Sequence, residues 1–141
     1  MRKFSKINES HKFDRSDIDK VNDILSDFKD ESKFTIGLDY IATNGLPYGR
    51  EIPEYVNTFN WAQIVIHHKN NSKTDEFSKE FNFFNENILN AISHLESIGK
   101  VFFKINTEYE REYFNERDKK DRFTFKVCRI TLIATIKIFP N

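Results

Sequence analysis

Cysteine occurs once in this chain, at Cys128, so no intrachain disulfide can form. A reducing compartment is the simpler expectation, and the cytoplasm is the expected location. Net charge is absent, because 22 basic residues balance 22 acidic ones. That excludes an acidic mimic of DNA and any dominant electrostatic pull toward nucleic acid or anionic membrane, while leaving room for a local patch. Long hydrophobic runs are missing: none approaches the ~18 residues needed to span a bilayer, and no secretory h-region follows the start. Turn residues are scarce too, with four glycines and three prolines in 141 residues. A chain of this length makes one domain and buries about two-thirds of its unfolded surface, so it needs no metal or disulfide staple.

Catalytic signatures are equally thin. The chain contains no GxxxxGK[ST], GxGxxG or HExxH, the patterns that cradle phosphates, bind dinucleotides or hold a hydrolytic zinc. Cys128 lacks a CxxC partner and sits in an apolar run, as a small core residue would. His67 and His68 are adjacent on an expected strand, so they point to opposite faces and cannot share one ion. His94 with Glu96 offers no ligand spacing of its own. No metal and no cofactor are expected, and the chain reads as a non-enzyme.

Aromatic residues are abundant: fifteen Phe, five Tyr and one Trp supply most of the core volume. In "SDIDKVNDILSDFKD", Ile18, Val21, Ile24, Leu25 and Phe28 recur at helical spacing, with Ser16 as the expected N-cap. "KFTIGLDYI" alternates Phe34, Ile36, Leu38 and Tyr40 against polar neighbours, as a half-buried strand does. "NWAQIVIHH" is apolar on both faces, which predicts a central strand. "TDEFSKEFNFFNENILNAISHLESIG" forms the long helix, with Gly99 as its C′ residue and "NFFNEN" as a place where asparagines compete for backbone hydrogen bonds. "KVFFKINTEY" alternates again. In "RFTFKVCRITLIATIKIF" the apolar parity changes from odd at Phe123, Phe125 and Val127 to even from Ile130 onward. Such a switch predicts a β-bulge or a bend near Cys128–Arg129.

Shifting the chain by 67 positions lays the first helix and strand over the second helix and strand, and the strand from Asn60 over that from Val127. The pattern predicts an α+β domain over residues 14–141, built of two helix–strand–strand units at about 14–70 and 74–139. They should form a four-stranded, mainly antiparallel sheet with both helices on one face. Residues 1–13 read as a polar, flexible N-terminus.

Three surfaces are candidates for function. The segment "TNGLPYGREIPEY", Thr43 to Tyr55, gathers two of the four glycines and two of the three prolines. It connects two strands over far more than the 2–5 residues of a hairpin, as functional loops often do. Tyrosine gives contact area at low entropic cost, so Leu46, Tyr48, Arg50, Glu51 and Tyr55 are its expected partner-binding residues. Trp61 and Phe102 lie on the less apolar face of their strands, with Lys104, Lys126, Arg129 and Lys137 nearby, an arrangement suited to stacking RNA bases. Glu108, Glu110 and Glu112 in "EYEREYFNERDKKDR" form a carboxylate cluster that a hydrolase would use with Arg50. Interleaved bases and the lack of an apolar pocket favour a solvated hairpin connection there. A homodimer interface would also account for Trp61 and Phe102.

"MRKFSKINES" resembles the capsid-targeting leader of proteins packaged by T-even-type tailed phages. Lys3 and Phe4 match the leader's basic and aromatic start, and Ile7-Asn8-Glu9 before Ser10 matches its cleavage site. Fourteen asparagines and only four alanines suggest an AT-rich genome. The resemblance implies a phage-encoded protein, found in the host cytoplasm or the virion. The leading expectation is a non-enzymatic module that binds an unidentified protein through the 43–55 loop, as a host-factor inhibitor or virion component.

Overall fold

A computed structural model describes residues 12–29, 34–72, 77–115 and 123–141. The leader-like decapeptide lies outside them, as do the side chains of Glu110, Glu112, Lys126, Cys128 and Arg129. The elements run α1 (Arg15–Lys29), β1 (Phe34–Ala42), β2 (Pro47–Tyr48), β3 (Phe59–Ser72), α2 (Phe77–Leu95), β4 (Gly99–Asn115) and β5 (Phe123–Pro140). The fold is α+β. Its sheet has five strands in the order β2-β1-β3-β5-β4, one more than expected, and every pairing is antiparallel. The added strand is β2, whose two residues pair with Tyr40 and Ile41.

Helix α1 buries Ile18, Val21, Leu25 and Phe28, the face set by three- and four-residue spacing. Its cap is not Ser16 but Asp14. The Asp14 carboxylate accepts the Asp17 amide at 3.0 Å, while the Asp17 carboxylate accepts the Asp14 amide at 3.0 Å. This reciprocal pair satisfies two of the helix's orphan donors. Ser16 donates its hydroxyl to Asp14 at 2.6 Å. That bond, with the one from the Asp17 amide, holds the Asp14 carboxyl below its ordinary range.

Helix α2 runs unbroken through "NFFNEN". Asn87 donates its side-chain amide to the Phe83 carbonyl 2.8 Å away, one turn back, so it bonds inside the helix instead of disrupting it. Phe84, Ile88, Ala91, Ile92 and Leu95 meet the sheet. The helix stops four residues before Gly99, which opens β4 and is not a left-handed cap.

Buried residues from both helices join Tyr40, Ala62, Ile64, Ile66, Leu132, Ala134, Ile136 and Ile138 in a single core. On β3 and on β5 from Ile130, even-numbered residues face the helices, as the parity switch predicts. The extra residue behind that switch is Lys126, because Glu112 pairs with Val127 and Tyr113 with Phe125. The bulge thus falls slightly before Cys128–Arg129. A second bulge re-aims Phe59. Ile41 pairs with Trp61 but Ala42 pairs with Phe59, so Asn60 is skipped and Phe59 turns into the core despite its odd number. Phe13, expected in the flexible segment, is also buried, and its backbone exchanges two 2.9 Å hydrogen bonds with Phe59.

The 67-residue offset carries Phe34, Ile36 and Leu38 onto Val101, Phe103 and Ile105, all on the helix side of the sheet. It sends the inward Ile64 and Ile66 onto Thr131 and Ile133, which alternate with the inward Leu132 and Ala134. The two hairpins therefore need different offsets. Strand β4 also continues to Asn115, through much of the segment expected to be a loop connection.

Candidate functional site

With both helices on one side, no described element covers the other side of the sheet, which is its open face. Antiparallel pairing sets its rows. One row runs Asp39, Gln63, Lys137, Phe102; the next runs Gly37, Val65, Thr135, Lys104. Trp61 on β3 and Lys100 on β4 flank Phe139 of β5, since Lys100 pairs with Phe139. The register thereby brings three rings together. Trp61 stacks on Phe139 with centroids 5.8 Å apart and planes 22° from parallel. Phe102 meets the edge of Phe139 at 5.7 Å. The Lys137 ammonium sits 5.6 Å from the Trp61 ring centroid, within cation–π range. Phe102 remains 61 % exposed, and Lys100 and Lys104 are exposed beside it.

Trp61, Phe102 and Lys104 are thus where the sequence placed them, on one face. Phe139 is the residue that sequence reasoning missed. Its odd number puts it on the open side of β5, but only the register shows that it bridges Trp61 and Phe102. Of the carboxylates, Glu108 is exposed on the same face, opposite Thr131.

The 43–55 loop lies at the β1 edge of the sheet and leaves β1 just after Ile41, the residue paired with Trp61. Asn44 accepts the Leu46 amide at 2.9 Å and donates its side-chain amide to the Tyr48 hydroxyl at 3.2 Å, closing the turn. Gly45 supplies the positive φ of 86° that the turn requires. Farther along, the Arg15 guanidinium donates to the carbonyls of Val56 at 3.0 Å, Ile52 at 3.1 Å and Pro53. Ile52 and Tyr48 pack partly against the core. Arg50 and Glu51 are exposed, as are Leu46 at 55 % and Tyr55 at 79 %. The five expected contact residues therefore do not form one patch of equal exposure, because Tyr48 is held inward by β2.

His67 and His68 do point to opposite faces: His68 is buried, and His67 lies on the open side. Among the described residues no three His, Cys, Asp or Glu side chains converge to hold a metal ion. No described helix is long and apolar enough to cross a membrane. No family model, curated protein or solved structure matches this chain. What can be said of its function rests on the geometry of these two surfaces.

Proposed function

We propose that the open sheet face binds single-stranded RNA, with Phe102, Phe139 and Trp61 as a stacking platform and Lys137, Lys104 and Lys100 as the backbone contacts. The observation that carries this reading is the contiguous row of rings across three neighbouring strands, with a lysine at its centre. Bases stack on exposed aromatic rings whatever their sequence, at about 1–3 kcal/mol per base. Three lysines neutralise few phosphates, so the log–log salt slope should be near −2, from about −0.7 per phosphate on a single strand. A chain with no net charge suits such a local, modest-affinity platform.

Trp61 is the only tryptophan, so its emission reports directly on the site. Titration with a short oligouridylate should quench it, and Phe102→Ala should weaken binding roughly tenfold. Unchanged Trp61 emission at millimolar oligonucleotide would sink the reading, and equal affinity for Phe102→Ala would remove the stacking platform from it.

A second reading keeps the 43–55 loop as a protein-recognition site, in a phage-encoded inhibitor or virion component. Its support is the Arg15 tether, which fixes Ile52 to Val56 while Tyr55 and Leu46 stand exposed. An ordered loop presents aromatic surface without an ordering penalty on binding. Nuclease-treated capture with wild-type and Tyr55→Ala protein tests it. A protein retained by the first and lost by the second supports the loop; equal retention counts against it.

A further inference from the structure

β4 ends the sheet. One of its edges is paired to β5 along the whole strand, and among the described residues no strand lies beside the other. The regular stretch runs from Gly99 to Glu112, where the register shifts. An unpaired edge of this length is a template for another strand, and proteins usually blunt such edges with charged side chains (lysine above all), proline, bulges or short length. Here the regular stretch contains no proline and no bulge. Large apolar side chains flank it on both faces: Phe102 is 61 % exposed on the open side and Phe103 is 46 % exposed on the helix side. The opposite edge of the sheet is different, because β2 covers β1 at Tyr40 and Ile41.

The charge order along β4 tells what would pair with it. Its first half carries Lys100 and Lys104; Glu108 and then glutamates at positions 110 and 112 follow. Lys100, Lys104 and Glu108 all have even numbers and share one side of the strand's alternation. We propose that two copies of this chain pair antiparallel through their β4 edges, with Asn106 opposite its own counterpart. Lys104 of each copy then lies opposite Glu108 of the other, and Lys100 lies opposite position 112. Two-fold symmetry doubles each pairing. Directly opposed unlike charges stabilise a strand pair, and like charges destabilise it. Moving the axis to residue 104 would set Lys104 against itself, and moving it to 105 or 107 would leave one of the two lysines opposite an uncharged residue, so the axis at Asn106 alone sets both lysines opposite glutamate positions. The axis at Asn106 also falls at the middle of the bulge-free stretch. The result is a continuous ten-stranded sheet with two adjoining open faces, and it holds whether or not those faces bind RNA.

The test is sedimentation equilibrium on nuclease-treated full-length protein, with circular dichroism to confirm folding. Wild type should dimerise, with dimerisation weakening as salt rises. Lys104→Glu and Glu108→Lys should each weaken dimerisation roughly tenfold or more, since each sets like charges face to face. Mixing the two single variants should restore dimers, because every opposed pair is again unlike. The double variant Lys104→Glu/Glu108→Lys should also recover dimerisation on its own. A wild type that stays monomeric at its solubility limit overturns the proposal. So does a dimer indifferent to both reversals, which would place the contact on another face. Failure of the mixed variants to associate, while each alone is folded and monomeric, overturns the register.

Discussion

His68 Nε2 lies 2.9 Å from Glu80 Oε2, across the contact between β3 and α2, and the imidazole has no solvent-accessible side-chain surface. Phe34 and Phe84 enclose the ring at centroid distances of 5.2 and 5.9 Å. The Nε2–H donates to the carboxylate, while Nδ1 is buried without a hydrogen-bond partner. This is a polar contact set among aromatic rings, where an unmatched polar group costs about 1–3 kcal/mol.

Truncating one partner should therefore hurt more than replacing both. Glu80→Leu alone leaves both ring nitrogens of His68 in an apolar setting and should lower stability by about 1–3 kcal/mol. The pair His68→Leu/Glu80→Leu should recover most of that loss. Urea unfolding of the two single variants and the double variant gives the coupling directly. Additive losses would show that the contact at 2.9 Å adds nothing beyond the separate packing of its members.

Arg15 ties the 43–55 loop to the start of α1 through the carbonyls of Ile52, Pro53 and Val56. Arg15 reaches these carbonyls from two separate nitrogens held in a fixed planar fork, whereas the three donors of an ammonium all radiate from one atom and do not span the same set. Arg15→Lys should accordingly behave almost like Arg15→Ala, with each losing about 1–3 kcal/mol. Amide exchange at residues 52–58 should accelerate, while exchange in the central strands β3 and β5 should follow only the global loss. Retained protection of the loop in Arg15→Lys would show that charge alone holds it.

The sequence was most legible where burial is periodic. Ile18 to Phe28 and Phe81 to Leu95 repeat at helical spacing because one helical face meets the sheet. The parity switch in β5 was legible because a single bulge residue flips every later side chain. Features set by contacts between distant segments left no local trace. β2 is two residues long and begins with a proline, so it looks like part of a turn. Arg15 bonds to carbonyls 37, 38 and 41 residues away, and nothing near it in the chain marks that role. Ser16 was a reasonable cap by residue type, but Asp14 stands at the position where the free amides point. The aromatic platform was half legible. Trp61 and Phe102 could be assigned to one face by parity, whereas Phe139 joins them only through the pairing of β5 with both neighbours.

Gly99 is required by close approach and not by its backbone angle. A Cβ there would overlap the Phe139 carbonyl and crowd the Phe13 ring at 3.1 Å. Gly99→Ala should destabilise by about 1–3 kcal/mol or somewhat more, since a backbone carbonyl cannot swing aside. Gly37→Ala is the matched contrast. Its Cβ would meet Val65 at an ordinary 3.9–4.0 Å, and the change should be neutral or stabilising by up to about 1 kcal/mol. Comparing the urea midpoints of the two variants checks both statements. A mild Gly99→Ala would mean that β4 and β5 can separate at that end.

Tyr40 gives the fold an alkaline limit. Its ring has no exposed surface, and its hydroxyl donates to the Asn22 side-chain oxygen at 2.7 Å. Burial pushes the phenol well above its ordinary range. A raised folded-state pKa means that the folded protein holds the proton more tightly than the unfolded chain does. The resulting stability is complete below the unfolded value of about 10 and is lost as pH rises above it, by up to roughly 1.4 kcal/mol per pH unit. Tyr40→Phe removes both the hydrogen bond and this titration. At about pH 8 it should be less stable than wild type by about 1 kcal/mol. By about pH 11 the gap should have closed or reversed, because only wild type must release or bury that charge. Urea unfolding of both proteins across this range measures the difference while cancelling the lysines and other tyrosines common to both. Parallel curves would show that Tyr40 is not the group whose ionisation opens the core.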